Sequence, residues 1–183
     1  GCAAMKLSIR QATPADAAAI AAVEITTWQT AYRHLMPDAF LDGFSVEEQT
    51  ANWSRSLVKH QNGRRKRTVV AVCEDEVAGF ATIGRAQDET DEGLVYLVYV
   101  LPEHWGRGVG KALMAAAADA LRELGVREAT LWVLRENQRA RHFYESLGWQ
   151  PDGRTRIDDY GGVELEAVCY RRTIPGQSRT RRN

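Results

Sequence analysis

Val98-Tyr99-Val100-Leu101-Pro102-Glu103-His104-Trp105-Gly106-Arg107-Gly108-Val109-Gly110-Lys111 is the stretch that decides the fold. An apolar strand-like run meets a proline, then a glycine-rich turn, then the start of a helix. Proline lacks the N–H that a strand ladder needs, so the strand ends at Pro102. Glycines let backbone N–H groups approach a ligand, and a helix N-terminus favours negative charge. Arg107 and Lys111 add cations beside those amides, so the geometry suits an anion, most simply a phosphate. Two nucleotide loops are excluded by residue identity. A Walker A loop needs Gly at 105 and Ser or Thr at 112, which are Trp105 and Ala112; the dinucleotide fingerprint needs Gly at 111, which is Lys111. The bland alternative is a tight strand-to-helix turn whose glycines serve packing.

Outward from this stretch the periodicity gives alternating strands and helices. Leu7 to Arg10 reads as a strand. Thr13-Pro14-Ala15-Asp16 then supplies an N-cap, a proline at N1 and an acid at N3 for a helix reaching Tyr32. Arg33 to Gly43 reads as a loop, and Ser45-Val46-Glu47-Glu48 caps a helix towards Leu57. Arg67–Cys73 and Val77–Ile83 form a hairpin about Glu74-Asp75-Glu76. Gln87 to Gly93 is an acidic loop, and Leu94–Leu101 reads as a strand buried on both faces. A helix from Gly108 to Leu124 places Val109, Leu113, Ala117 and Leu121 on one side, with Gly125 as its stop. Glu128–Leu134, Asn137–Leu147 and Val163–Arg172 follow as strand, helix and strand.

Composition agrees with one globular unit. The chain has 183 residues, 44% apolar and 26% charged, with 24 basic against 24 acidic side chains. No net field recruits nucleic acid or membrane, and the apolar runs are shorter than a spanning helix needs. The arginines of the tail, Arg179, Arg181 and Arg182, are too few to change that expectation. No secretory leader is visible, so the expected location is cytoplasmic. Cys2, Cys73 and Cys169 have no metal-ligand spacing, and the latter two sit in apolar strand text as small hydrophobes; no metal is expected. His60, His104 and His142 read as surface residues. Gly1–Ala4 reads as a cloning remnant ahead of Met5, residues 5–174 as a single domain, and 175–183 as a flexible Arg-rich tail.

A second constellation lies downstream. Asn137-Gln138-Arg139-Ala140 opens a helix that carries Phe143-Tyr144 and ends at Leu147-Gly148-Trp149. By itself Asn137 is a good N-cap, and Phe143 and Tyr144 are ordinary core candidates. Taken with Trp105-Gly106-Arg107-Gly108-Val109-Gly110, however, it resembles the GNAT superfamily of acyl-CoA-dependent N-acetyltransferases. The first segment is similar to that family's pyrophosphate loop, Q/R-x-x-G-x-G/A, and the second to its N-x-R-A…F-Y…L-G-F motif. The order of elements matches from about Leu7 to Thr173.

The resemblance implies an α/β (α+β) fold with one mixed, mostly antiparallel twisted sheet, a splayed central parallel strand pair and helices on both faces. It implies acetyl-CoA as acyl donor, held by Trp105, Gly106, Arg107, Gly108, Val109, Gly110 and Lys111, with Asn137 and Arg139. Val98 and Val100 take the role of pairing with the pantetheine arm, and a backbone N–H of their strand that of polarising the acetyl carbonyl. Tyr144 stands where the family keeps the phenol that protonates the leaving thiolate. Trp105 departs from the usual Gln or Arg, which removes one side-chain contact to the pyrophosphate. Leu94 stands where many members carry a glutamate base, so the base is open among Glu92, Asp91, Tyr96, His34 and water. The acceptor side is expected around Trp28, Tyr32, His34 and Met36, residues that core packing would explain equally well. The implied reaction is acetylation of a primary amine, of a small molecule first; a protein N-terminus or lysine, or a non-catalytic acyl-CoA sensor, is the alternative. Relatives are often homodimers, so a homodimer is a further expectation.

Overall fold

A computed structural model describes residues 5–87 and 91–176. The readings of Gly1–Ala4 and of the last seven residues lie outside them. Seven strands form one sheet: β1 (Leu7–Gln11), β2 (Lys66–Cys73), β3 (Glu76–Arg85), β4 (Gly93–Val100), β5 (Glu128–Leu134), β6 (Gln150–Tyr160) and β7 (Val163–Thr173). Their spatial order is β1-β2-β3-β4-β5-β7-β6. Every neighbouring pair is antiparallel except β4–β5. Five helices cover the sheet: α1 (Ala17–Ala31), α2 (Asp38–Asp42), α3 (Val46–Lys59), α4 (Val109–Glu123) and α5 (Gln138–Ser146). On one face Ile20 and Val23 of α1 and Trp53 and Leu57 of α3 pack on Val70 and Phe80. On the other, Met114, Ala117 and Leu121 of α4 pack on Leu131, Val133 and Tyr170, with Phe143, Tyr144 and Leu147 of α5 beside them. No helix among the described residues is long and apolar enough to cross a membrane.

Local signals account for most boundaries. The β2–β3 turn puts Glu74 and Asp75 at φ of 47° and 67°, the left-handed pair that a two-residue hairpin requires. Ser45 caps α3 by accepting from the Glu48 N–H at 3.1 Å. Three readings of the sequence need correction. The loop 33–43 contains the short helix α2, which seats Leu41 in the core. β6 was not anticipated, because it is an edge strand whose Asp152, Arg154, Arg156 and Asp158 pair with one another and leave little apolar alternation. And β4 is fully buried only at Gly93 and Val95; from Tyr96 onward it is half-buried, since one of its edges opens.

The start of α1 is preceded by a 3₁₀ turn, Pro14–Asp16, anchored by the Asp16 carboxylate. That carboxylate accepts from Arg10 at 2.8 and 2.9 Å and from the Thr13 N–H at 2.8 Å. The Arg10 hydrogen bond, with help from Thr13, holds the Asp16 pKa below its ordinary value. A depressed carboxyl stabilises the fold above its unfolded pKa, and this contribution disappears as pH falls through the folded one. Asp16→Asn should therefore cost about 1–3 kcal/mol in urea unfolding at pH 7. The gap from the parent protein should narrow as the pH drops below the ordinary carboxylate range, and a gap constant with pH would refute the ion-pair account.

Candidate active site

The site begins where the two parallel strands separate. β4 and β5 pair over Gly93–Ala129, Leu94–Thr130 and Val95–Leu131 only. On its other side β4 slips register against β3: Thr82 faces Leu97 while Ile83 faces Val95, so Tyr96 is an extra residue. Such a bulge bends and twists the strand, and here it carries β4 away from β5. The gap is a cleft of about 550 Å³ running between β4, the 105–111 loop and α5. Leu101 donates to the Ala78 carbonyl across β3 at 2.8 Å. By the alternation of an antiparallel ladder, Val98 and Val100 then turn their N–H and C=O groups to the opened edge. Both line the cleft.

The glycine loop fits a bulky anion. Gly106 and Gly108 have φ of 73° and 83°, and a Cβ on either would meet nothing within 4 Å. The positive φ needs glycine, and the open space in front of it is where backbone amides at the start of α4 are reachable. Val109 is buried as the first anchor of α4, while Gly110 lets the Phe143 ring close on the helix, a Cβ there lying 3.1 Å from Cζ. Lys111 is exposed at the rim of the cleft. Arg107 is exposed and lies outside the lining of the cleft. His104, expected at the surface, instead lines the cleft with a buried Nδ1 that has no hydrogen-bond partner among the described residues. His60 is likewise half-buried, whereas His142 and His34 are exposed.

Trp105, the departure from the family pattern, is tied into the cleft wall. Its indole N–H donates to the Val100 carbonyl at 2.7 Å, a group that also accepts from Thr27 Oγ1 at 3.4 Å. That carbonyl is thus engaged, which leaves the Val98 groups and the Val100 N–H for a ligand. The Arg139 guanidinium lies over the Trp105 ring, 3.3 Å from its centre, and burial lowers its pKa from the usual very high value. The indole therefore holds a partly desolvated cation at the mouth of the cleft. Arg139→Ala should weaken acetyl-CoA binding about 2–30-fold in calorimetry, the range of a cation–π contact, but hardly at all when Trp105 is already Ala. Equal losses in both backgrounds would mean that the stack does not position Arg139.

Beyond the loop the cleft floor is a group of phenols. Asn137 caps α5, its Oδ1 accepting from the Ala140 N–H at 3.2 Å, and its Nδ2 donates to the Tyr32 hydroxyl at 3.4 Å. Tyr144, two turns further along α5, lines the same cleft. Burial raises its pKa and the nearby Tyr32 adds to the shift. The pKa of Tyr99 of β4 is also raised, by burial first and then by Tyr32, with Glu24 and Tyr144 adding to it. Burial raises Tyr32 as well, so all three phenols are protonated at neutral pH.

A second cavity, about 260 Å³, adjoins the first on the α1 face of the sheet. Tyr32, Leu97, Tyr99 and Trp132 line both. Trp28 and Tyr160 close it as an aromatic pair at 5.8 Å, and Arg156 and Asp158, bonded at 2.9 Å, supply its polar wall. Trp28 and Tyr32 are thus both packing and lining residues. Met36 is core, and neither it nor the exposed His34 lines either cavity. The sequence reading missed Tyr99, Trp132, Asp158 and Tyr160, because only the folded sheet brings β4, β5 and β6 to one place. Among the base candidates, Glu92 is paired with Arg171 at 2.6 Å, and Asp91 sits 3.5 Å from Arg85 on the surface. Tyr96 donates to the Arg85 carbonyl at 2.8 Å. Among the described residues no group of three or more His, Cys, Asp or Glu is arranged to hold a metal.

Comparison with known proteins agrees with this geometry. Residues 28–149 match the model of the acetyltransferase (GNAT) family. The chain is 30% identical over 169 residues to the uncharacterized N-acetyltransferase YuaI of Bacillus subtilis, covering 88% of this chain and 90% of that one. It is 29% identical over 148 residues to the L-amino acid N-acyltransferase MnaT of Escherichia coli, covering 78% and 79%. Among solved structures, PaiA N-acetyltransferase of Thermoplasma acidophilum in complex with coenzyme A superposes with a TM-score of 0.73 at 19% identity, over 90% of this chain and 98% of that one. The splayed strands, the glycine cradle and these likenesses together make the chain a member of the GNAT family of acetyl-CoA-dependent acetyltransferases.

Proposed function

We propose that the protein transfers the acetyl group of acetyl-CoA to the primary amine of a small molecule, by direct attack in a ternary complex. The observation that carries this is the second cavity, which shares Tyr32, Leu97, Tyr99 and Trp132 with the cofactor cleft. Ligands in the two cavities would meet at these shared residues, beside the gap between β4 and β5. Its volume of about 260 Å³ suits a compact molecule. Aromatic walls suit an apolar body, and Asp158 suits a cationic end.

Acetyl-CoA supplies an activated thioester. The 106–111 amides, with Lys111 and Arg139, hold its phosphates, and the open edge at Val98 and Val100 takes its pantetheine arm. A β4 N–H at that edge polarises the acetyl carbonyl. The amine lone pair forms the N–C bond, the C–S bond breaks, and sulfur leaves with the electron pair. Tyr144 gives its phenolic proton to that sulfur, and the surplus proton on the new amide nitrogen returns to the Tyr144 oxygen.

The test is thiol release from acetyl-CoA across polyamines, aminoglycosides, amino acids and short peptides of varied N-terminus. Acceptor-dependent release with one of the small amines is expected. Release with peptides alone would transfer the assignment to a protein acetyltransferase. Acetyl-CoA binding with no release from any acceptor would leave an acyl-CoA sensor.

A further inference from the structure

Acetyl transfer needs a neutral amine, whereas a primary alkylamine arrives at neutral pH as an ammonium. Glu92 is paired with Arg171 and Asp91 with Arg85, Tyr96 donates to the Arg85 carbonyl, and the exposed His34 lines none of the cavities that meet at β4. Asp158 in the acceptor cavity is bonded to Arg156 at 2.9 Å, and a further carboxylate, that of Glu24, lies against the sheet. Glu24 lies on α1 at i, i+3, i+4 and i+8 spacing with Thr27, Trp28 and Tyr32, all of which line the two cavities. Its Oε1 accepts from Gln49 Nε2 at 2.8 Å and Trp53 Nε1 at 3.4 Å, both from α3. No described residue donates to Oε2. The carboxylate lines a third cavity of about 360 Å³, whose floor includes Tyr96 and Leu97, the bulge of β4 and the residue after it. Those same two residues line both the cofactor cleft and the acceptor cavity.

We propose that Glu24 takes the proton from the incoming ammonium through one water in this third cavity, and passes it outward to solvent. The proposal rests on the acetyl-transfer reading above. The N–H bond electrons stay on nitrogen as the attacking pair, Glu24 becomes a neutral carboxylic acid, and one proton leaves to solvent per turnover. That proton is the one the overall reaction releases, since Tyr144 is restored within the cycle. Gln49 and Trp53 fix the orientation of the carboxylate without consuming both oxygens. Burial raises its pKa above the ordinary glutamate value, with the Trp53 N–H offsetting part of this. A carboxylate raised in this way is a stronger base than an ordinary glutamate. Other titratable groups around this cavity are Lys66 of β2, Nζ 3.8 Å from the centre of the Tyr96 ring, His60 at the end of α3, and Tyr99 beside it on β4. Burial holds both Lys66 and His60 below their usual pKa values.

The test is the pH profile of kcat/KM for Glu24→Gln and Glu24→Asp, using the most active alkylamine of the panel. At pH 7 the glutamine variant should lose about 100-fold, the scale of general base catalysis, with its acetyl-CoA affinity unchanged in calorimetry. Its deficit should shrink as pH rises towards the pKa of the free amine, where the acceptor no longer needs a base. The aspartate variant should keep the acid limb of the parent profile at a reduced rate. A deficit of the same size at every pH, a loss of acetyl-CoA affinity, or an unimpaired glutamine variant would each overturn the assignment. A parent enzyme silent on every amine would instead overturn the acetyl-transfer reading, and Glu24 with it.

Discussion

Tyr144→Phe should lower kcat by about 10²–10⁴-fold, the usual worth of a positioned proton donor, while acetyl-CoA binding and thermal stability stay close to those of the parent. The variant deletes one oxygen from a ring that packs against the α4–β5 core, so the apolar contacts survive. Burial and the neighbouring Tyr32 raise the Tyr144 pKa, so the phenol carries its proton through the neutral and mildly alkaline range. Activity therefore should not decline on the alkaline side until well beyond the ordinary tyrosine range. Without the phenol, the thiolate must leave unprotonated or draw its proton from water in a partly closed cleft. Thiol detection should give the fall in kcat, and calorimetry the unchanged Kd for acetyl-CoA. If turnover persists with the fold intact, the proton for sulfur comes from elsewhere, and Tyr144 is a packing residue after all.

The parts of this site that could be read from the sequence are those whose chemistry is local. Gly106, Gly108 and Gly110 mark a turn because their backbone needs are written in three nearby positions, and Asn137 marks a helix start for the same reason. The strand–turn–helix at 98–111 and the helix carrying Tyr144 therefore appear in the structure where the text put them. What depended on distant partners was lost. β6 is charged along much of its length and shows no apolar face, so its membership of the sheet follows only from pairing with β7. Leu94–Leu101 read as doubly buried because its residues are apolar, yet its later half borders a cleft that requires apolar walls. Glu24 sits in an alanine-rich helix where the text offers no reason to single it out. Its significance comes from α3 and β4, which reach it from 25 residues and more away in the chain. Trp105, which looks like a loss when set against the family motif, proves to be the platform for Arg139.

Gly108→Val should separate ligand binding from folding. Gly108 caps α4 at φ 83°, a conformation that costs an L-residue about 1–2 kcal/mol, and a β-branched one more. Yet no protein atom lies within 4 Å of the added Cβ, so nothing in the fold is displaced by it. The space it enters is the cradle in which the α4 amides reach a phosphate. Acetyl-CoA affinity should thus fall about 100-fold or more, equivalent to roughly 3 kcal/mol, with the unfolding free energy reduced only by the backbone cost. Gly110→Val makes the contrast. There φ is ordinary, but the new Cβ lies 3.1 Å from Cζ of Phe143, and the added methyls must push α5 from α4. That overpacking should cost about 1–3 kcal/mol of stability, visible in the denaturant midpoint. The two glycines are two residues apart in one motif, yet one keeps space for a ligand and the other for a ring. If Gly108→Val binds acetyl-CoA as the parent does, the cradle is not where the phosphates sit. If both variants lose stability alike, the spacing of the motif serves the packing of α4, and the anion is held by Lys111 and Arg139 without the amides.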